Sequence, residues 1–179
     1  MLAIAGLLLP TYAIYRKVVD NGHANEIWSS PQSQPIRTAF IIIGFLIGIA
    51  AGILYRYSIG ADSLPANLTW FALTAAAIGA TEEILFRGAL FYLMRKQHYL
   101  ATIFIAALLH ASYKSLLFLS PYAQQPIDTW YLFYVTFLAG LVLGMLRYWA
   151  ASTLAPLVAH STWDIIVYGN SDDAPWWVW

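Results

Sequence analysis

The chain contains no cysteine and few charged residues, and each shortage excludes certain kinds of site or partner. Without cysteine in 179 residues, disulfides, thiolate metal sites and a cysteine nucleophile are excluded. Only 10% of the residues are charged, the formal net charge is zero and no long basic run occurs, so we expect no nucleic-acid partner. The sequence also lacks the His-Glu-x-x-His signature of zinc peptidases and the Gly-x-Ser-x-Gly elbow of serine hydrolases.

Apolar residues dominate instead. They make up 60% of the chain, which predicts an integral membrane protein of the all-α class, a polytopic bundle with about six transmembrane helices. We interpret the short first segment as a span rather than a signal peptide, because no basic residue precedes it. No repeat or second domain is visible, so residues 1–179 are predicted to form a single domain. The predicted spans are 1–15, 38–55, 68–94, 100–119, 130–146 and 152–168.

The second predicted span carries a stripe of glycines. Gly44, Gly48 and Gly52 recur at every fourth position, which places them on one face of a helix. Small residues in such a stripe allow a neighbouring helix to approach closely. The sequence leaves open whether the stripe marks such a contact or only the general tolerance of membrane helices for glycine, and whether the neighbour belongs to the same chain.

The basic residues predict the orientation in the membrane. With six spans, the loops on one side contain only Arg56, and those on the other contain Arg16, Lys17, Arg37, Arg95, Lys96 and Arg147. The positive-inside rule therefore places both termini outside and the Arg95–Lys96 turn in the cytoplasm. In this predicted orientation the tryptophans fit an aromatic belt at the two membrane interfaces. Trp149 lies at the inner interface, and the outer interface has Trp70, Trp130, Trp176, Trp177 and Trp179.

Three charged residues lie in the third predicted span. On insertion scales, each ionised side chain near the bilayer centre costs about 2.5 to 3.5 kcal/mol, so Glu82, Glu83 and Arg87 require partners. Glu83 and Arg87 are four residues apart and are predicted to form an ion pair on one face. Glu82 lies about 100° around the helix from Glu83. Its partner must therefore come from another helix.

Two histidines and a further acid lie at compatible depths in later spans. At 1.5 Å per residue, Glu82, His110 and His160 are about 12 to 18 Å from the predicted inner edge, so they can meet near the middle of the membrane. Asp164 follows His160 by one helical turn. Lys114 follows His110 by one turn and suits either a transport path or a snorkelling, structural role. We expect it to point towards the outer side in the structural role.

This set of side chains favours hydrolysis. Glu82, with His110 as its partner, can hold and deprotonate a water molecule. On the opposite side of a reacting carbonyl, His160 can donate a hydrogen bond to the oxyanion. Together they predict hydrolysis of a peptide bond inside the membrane.

The motif Glu82-Glu83-x-x-x-Arg87, followed by His110 and by His160-x-x-x-Asp164, resembles the CPBP family. That family comprises the type II CAAX prenyl endopeptidases and their bacterial Abi and bacteriocin-processing relatives, which are glutamic-type intramembrane proteases. The run from Thr81 to Leu90 is similar to the family's first motif, including its Phe-Arg-Gly. The resemblance covers residues 68–168, which form the motif-bearing core.

The resemblance implies a role for each matching residue. Glu82 and His110 would activate water, His160 and Asp164 would form the oxyanion site, and Glu83 and Arg87 would support them. It implies no cofactor and no metal. It also implies a membrane-anchored or C-terminally tagged peptide or protein as substrate, in contact with membrane lipid, and a bacterial or archaeal cell membrane as the location.

The sequence departs from the family pattern at Asp164, where the family commonly has Asn. An ionised Asp164 would repel an oxyanion, so either burial keeps it protonated or it accepts a hydrogen bond from His160 and fixes that ring. We expect the second arrangement. A smaller departure is Ala106, where a Phe usually precedes the histidine.

Two other functions remain open at this stage. Glu82, His110, His160 and Asp164 also suit a metal-dependent membrane hydrolase with a zinc or iron site. A non-enzymatic immunity, scaffold or transport protein could use the same buried charges for ion coupling. Cleavage of a candidate peptide by the purified protein distinguishes these classes.

Overall fold

The protein is all-helical, as the sequence predicts. The structure, a computed structural model, describes residues 2–20, 22, 24–29, 33–118 and 128–170, and no β-strand occurs within these ranges. The helices are α1 (Leu2–Asp20), α2 (Ala24–Trp28), α3 (Gln34–Ser58), α4 (Trp70–Glu83), a π-helical segment (Ile84–Ala89), α5 (Leu90–Leu93), α6 (Tyr99–Phe118), α7 (Thr129–Ala150) and α8 (Leu154–Tyr168).

The outer surface of the bundle is apolar. Large side chains such as Leu54, Leu116 and Leu138 are exposed, which lipid tolerates and water does not. Among the described helices, three are long and apolar enough to cross a membrane, namely α3, α6 and α7. The count of six spans and the placement of both termini outside stay predictions. Most of the predicted turn at 120–128 and of the tail at 169–179 lies outside the described residues.

Polar side chains and prolines set the helix starts. Thr69 caps α4 by accepting a hydrogen bond from the Ala72 N–H, so that helix begins later than its predicted start at Leu68. The Asp128 carboxylate accepts from two N–H groups in the first turn of α7, at 3.0 Å each. Pro35 occupies the first turn of α3, where its missing N–H is harmless.

The glycine stripe packs inside this chain. A Cβ added at Gly44 or Gly48 would collide with the carbonyl oxygen of Ala155 or Ala159, both in α8. A Cβ at Gly52 would lie 2.8 Å from the Ile166 side chain. The predicted close approach is therefore confirmed, and it answers the question left open by the sequence. It fixes α8, with its two motif residues, against α3.

The third predicted helix forms, but it is not a regular α-helix. It runs from Trp70 to Leu93 with the π-helical segment in its middle, where the Leu90 N–H donates to the Leu85 carbonyl five residues back. Single π turns occur frequently at functional sites. Helix α4 packs against α8, and the π-helical segment contacts α6, so the motif lies where all three meet.

Candidate active site

The last turn of α4 and the π-helical segment carry the charged motif, whose three side chains are completely buried. Glu82, Glu83 and Arg87 have no solvent exposure. The Arg87 Nη1 donates to Glu83 Oε1 at 2.9 Å, so the predicted ion pair is confirmed. Such a pair repays the cost of burial only when further hydrogen bonds satisfy both partners. The remaining contacts of these side chains come from the neighbouring helices.

Glu82 finds its partners on α6, as its position requires. Its Oε2 lies 3.2 Å from His110 Nε2, and its Oε1 lies 2.7 Å from Lys114 Nζ. The expectation of a snorkelling role for Lys114 did not include this contact with the cluster. A buried carboxylate attracts the ammonium strongly in a low-dielectric surrounding. The four-residue spacing from His110, which puts both side chains on one face of α6, was the signal that could have indicated this contact.

The contact between Arg87 and His110 determines the form of the imidazole. Arg87 Nη1 lies 2.9 Å from His110 Nδ1, and a guanidinium can only donate. Nδ1 must therefore accept and carry no proton. The proton of the neutral ring is then on Nε2, which donates to Glu82. Phe86 stacks on the ring with centroids 4.6 Å apart and further fixes its orientation.

The second histidine is held by a different acid from the one we expected. His160 Nδ1 bonds Glu83 Oε1 at 2.9 Å. Its Nε2 lies 3.8 Å from Asp164 Oδ2 and 3.9 Å from Glu82 Oε2, both too long for a hydrogen bond. The expected hydrogen bond from His160 to Asp164 is absent, because Glu83 fixes the ring instead. His160 Nε2 consequently faces the region between two carboxylates.

Two glycines make room for the cluster, and sequence reasoning missed both. A Cβ at Gly79 would collide with Asp164 Oδ2 and would lie 3.1 Å from His160 Cδ2. Gly140 in α7 accepts from Arg87 Nη2 at 3.2 Å through its carbonyl, and a Cβ there would crowd that same guanidinium. Glycine is common in membrane helices, so nothing in the sequence singled these two out.

The structure thus brings all six predicted site residues together, on α4, the π-helical segment, α6 and α8. Three acids, Glu82, Glu83 and Asp164, face the cations Arg87 and Lys114. Within the ranges that the structure describes, no three His, Asp or Glu side chains form a set that could hold a metal ion. The cation beside Glu82 is the ammonium of Lys114. Acid-base chemistry on a water molecule is what this arrangement suits.

Comparison with known proteins agrees with the resemblance. The family model described as type II CAAX prenyl endopeptidase, Rce1-like, matches residues 64–166. This range contains the whole cluster and nearly coincides with the predicted core at 68–168. No curated protein and no solved structure matches the chain.

Proposed function

Since the chain belongs to the Rce1-like family of type II CAAX prenyl endopeptidases, we propose that it is a glutamic-type intramembrane endopeptidase in which Glu82 and His110 activate the attacking water. Family membership indicates a membrane-embedded protease of the CAAX type. The observation that carries the finer proposal is the fully buried contact between Glu82 Oε2 and His110 Nε2 at 3.2 Å. The two side chains come from separate helices, and His110 Nε2 donates to the Glu82 carboxylate.

In this proposal Glu82 is the general base. It takes a proton from water while the oxygen attacks the carbonyl carbon of the scissile peptide bond. The C–N bond then breaks, and protonated Glu82 returns the proton to the leaving amine. His110 cannot compete for that proton at Nδ1, because Arg87 donates to this atom. Its Nε2–H orients the carboxylate and the water.

His160 is proposed to stabilise the oxyanion. Glu83 accepts from its Nδ1, which leaves Nε2 directed towards the region between Glu82 and Asp164. A doubly protonated His160 donates from Nε2 to the developing negative charge. Such a ring also balances the cluster, because in the described part of the chain the three carboxylates otherwise face two cations, Arg87 and Lys114. Asp164 is then the counter-charge that keeps the imidazolium in place.

Lys114 is proposed as a positioning residue for Glu82. Its Nζ lies 2.7 Å from Oε1, so Glu82 presents its other oxygen, Oε2, to His110. The ammonium also stabilises the ionised carboxylate that a general base requires. About a quarter of the Lys114 side chain remains exposed, at 26%. It therefore lies where the cluster reaches the surface of the described bundle.

The proposed substrate is a membrane-anchored or C-terminally tagged peptide or protein. A site buried among membrane helices favours a substrate that is itself held at the membrane, and the description of the matching family as prenyl endopeptidases supports a lipid-anchored chain. A six-span arrangement with both termini outside completes the proposal. It rests on the biased distribution of basic residues between the loops.

The direct test is processing of co-expressed candidate membrane substrates by histidine variants. We expect His110→Ala and His160→Ala to abolish cleavage while the protein still accumulates in the membrane. His98→Ala is the matched control, because His98 is exposed on the turn before α6, and it should cleave like the parent chain. Cleavage by His110→Ala at the parent rate would refute the proposed water activation.

A strong chelator tests the metal-dependent alternative on the same preparations. If Glu82 activates water without a metal, cleavage continues after prolonged incubation with the chelator. Loss of cleavage that added Zn²⁺ restores would instead support a metal site at these residues.

A further inference from the structure

A second site lies at the end of the bundle where α5 ends, α6 begins and α7 ends. A cavity of about 710 Å³ opens there between α2, α5, α6 and α7. Thr102 on its wall is two turns before His110, which is about 12 Å along α6. None of the six residues of the proposed active site lines this cavity.

The most unusual wall residue is Arg147. Its side chain is almost fully buried, at 5% exposure, and its Nε donates to the Arg87 carbonyl at 3.0 Å. In the described part of the chain no carboxylate pairs with it, and the charge of Arg37 lies within electrostatic reach. A buried guanidinium without an anionic partner is costly. An anion that enters the cavity would remove that cost.

A second guanidinium, that of Arg95, lines the same cavity. It packs over the Tyr92 ring at 4.0 Å from the centroid, and its side chain is 43% exposed. Among the described residues that line the cavity, the one acid is Glu26, which lies 3.8 Å from Arg95 Nε. Two arginines against one glutamate leave the cavity positively charged. Arginine forks match the geometry of phosphate oxygens.

The rim of the cavity is aromatic and apolar. Tyr99 and Tyr148 stack with centroids 4.4 Å apart, and Trp149 is about half exposed beside them. These rings lie at helix ends, the level at which Tyr and Trp are enriched at membrane interfaces. Exposed apolar side chains continue along α6 and α7, among them Leu108 and Val142. A small free anion would make no favourable contact with this apolar surface, whereas the acyl chains of a lipid would.

We propose that this cavity binds the phosphate headgroup of an anionic membrane lipid, between Arg95 and Arg147, with the acyl chains along the apolar faces of α6 and α7. Basic pockets between membrane helices bind anionic headgroups in this way. The proposal does not depend on the proteolytic function, because it uses none of the active-site residues.

The test measures lipid retention by native mass spectrometry of the full chain in detergent with equal amounts of phosphatidylglycerol and phosphatidylcholine. We expect the parent chain to retain phosphatidylglycerol preferentially. Arg95→Gln and Arg147→Gln should each weaken retention about fivefold, the factor that corresponds to about 1 kcal/mol per basic residue. Lys96→Gln is the matched control, because Lys96 is an exposed neighbour of Arg95 outside the cavity.

The outcomes separate the explanations. Equal loss in Lys96→Gln would assign retention to general surface charge, and unchanged retention in both arginine variants would place the lipid elsewhere. Either result overturns the proposal. Displacement by glycerol phosphate at the same concentration as the lipid would identify a site for free phosphate instead. Arg147→Gln also removes the hydrogen bond to the Arg87 carbonyl. If this variant lowers the thermal midpoint, lipid retention by Arg95→Gln alone tests the proposal.

Discussion

Replacing Glu82 by glutamine separates the chemistry of the site from its stability. Both oxygens of Glu82 face donors, Lys114 Nζ at 2.7 Å and His110 Nε2 at 3.2 Å. A glutamine amide offers one acceptor and one donor, so one contact becomes a clash between two donors. His110 cannot escape by changing tautomer, because Arg87 donates to its Nδ1.

The expected magnitudes follow from these contacts. Loss of a general base typically lowers the rate about 10² to 10⁴-fold. The mismatched donor costs about 1 to 3 kcal/mol of stability, which lowers the thermal midpoint by roughly 2 to 12 °C at this chain size. Glu83→Gln should behave differently, because it removes the ion-pair partner of the fully buried Arg87. Its stability loss should reach about 3 to 5 kcal/mol.

The assay combines cleavage of a membrane substrate with thermal unfolding in detergent. The double variant Glu82→Gln/Lys114→Met removes the donor that clashes with the amide. It should recover part of the lost midpoint and remain inactive. Asp20→Asn, an exposed acid on α1, is the control for the acid-to-amide change and should alter neither quantity. If Glu82→Gln cleaves within about threefold of the parent rate, Glu82 is not the base.

Three further predictions concern the surroundings of the base. Lys114→Met should lower kcat with little change in KM, and Lys114→Arg should restore much of the rate, which steady-state kinetics on one peptide substrate would reveal. Gly79→Ala should cost about 1 to 3 kcal/mol by overpacking and lower activity further by displacing His160; normal activity at a normal midpoint would contradict this. Asp164→Asn should cleave more slowly than the parent if Asp164 is the ionised partner of His160, whereas full activity in Asp164→Asn with none in Asp164→Ala would indicate a protonated donor.

The sequence predicted which residues form this site better than it predicted the contacts between them. Charge in an apolar span identified Glu82, Glu83 and Arg87, because burial of ionised groups is too costly to occur without partners. Helical spacing predicted the pair of Glu83 with Arg87, and matching depths brought His110 and His160 to the same level. These inferences need only the rise and the period of an α-helix.

Contacts that depend on the rotation of one helix against another could not be predicted. The choice of Glu83 rather than Asp164 as the partner of His160 depends on how α8 faces α4, and α3 and Gly79 help to set that packing. The π-helical turn changes the phase of the helix after Glu83, and no residue in the run from Ile84 to Ala89 indicates it. The contact of Lys114 with Glu82 was not predicted, because hydropathy places a lysine near a helix end at the membrane interface.

Arg87 gives the site a property that no single contact has. Its Nη1 bonds both Glu83 and His110, and Glu83 in turn bonds His160, so one guanidinium joins the two histidines in a continuous chain. The side that would activate water and the side that would hold the oxyanion therefore share a support. Substitutions on the two sides should show strong thermodynamic coupling in a double-mutant cycle. In a protease built this way, a substitution that disturbs the water-activating residues should also disturb the oxyanion-binding residues, and the reverse.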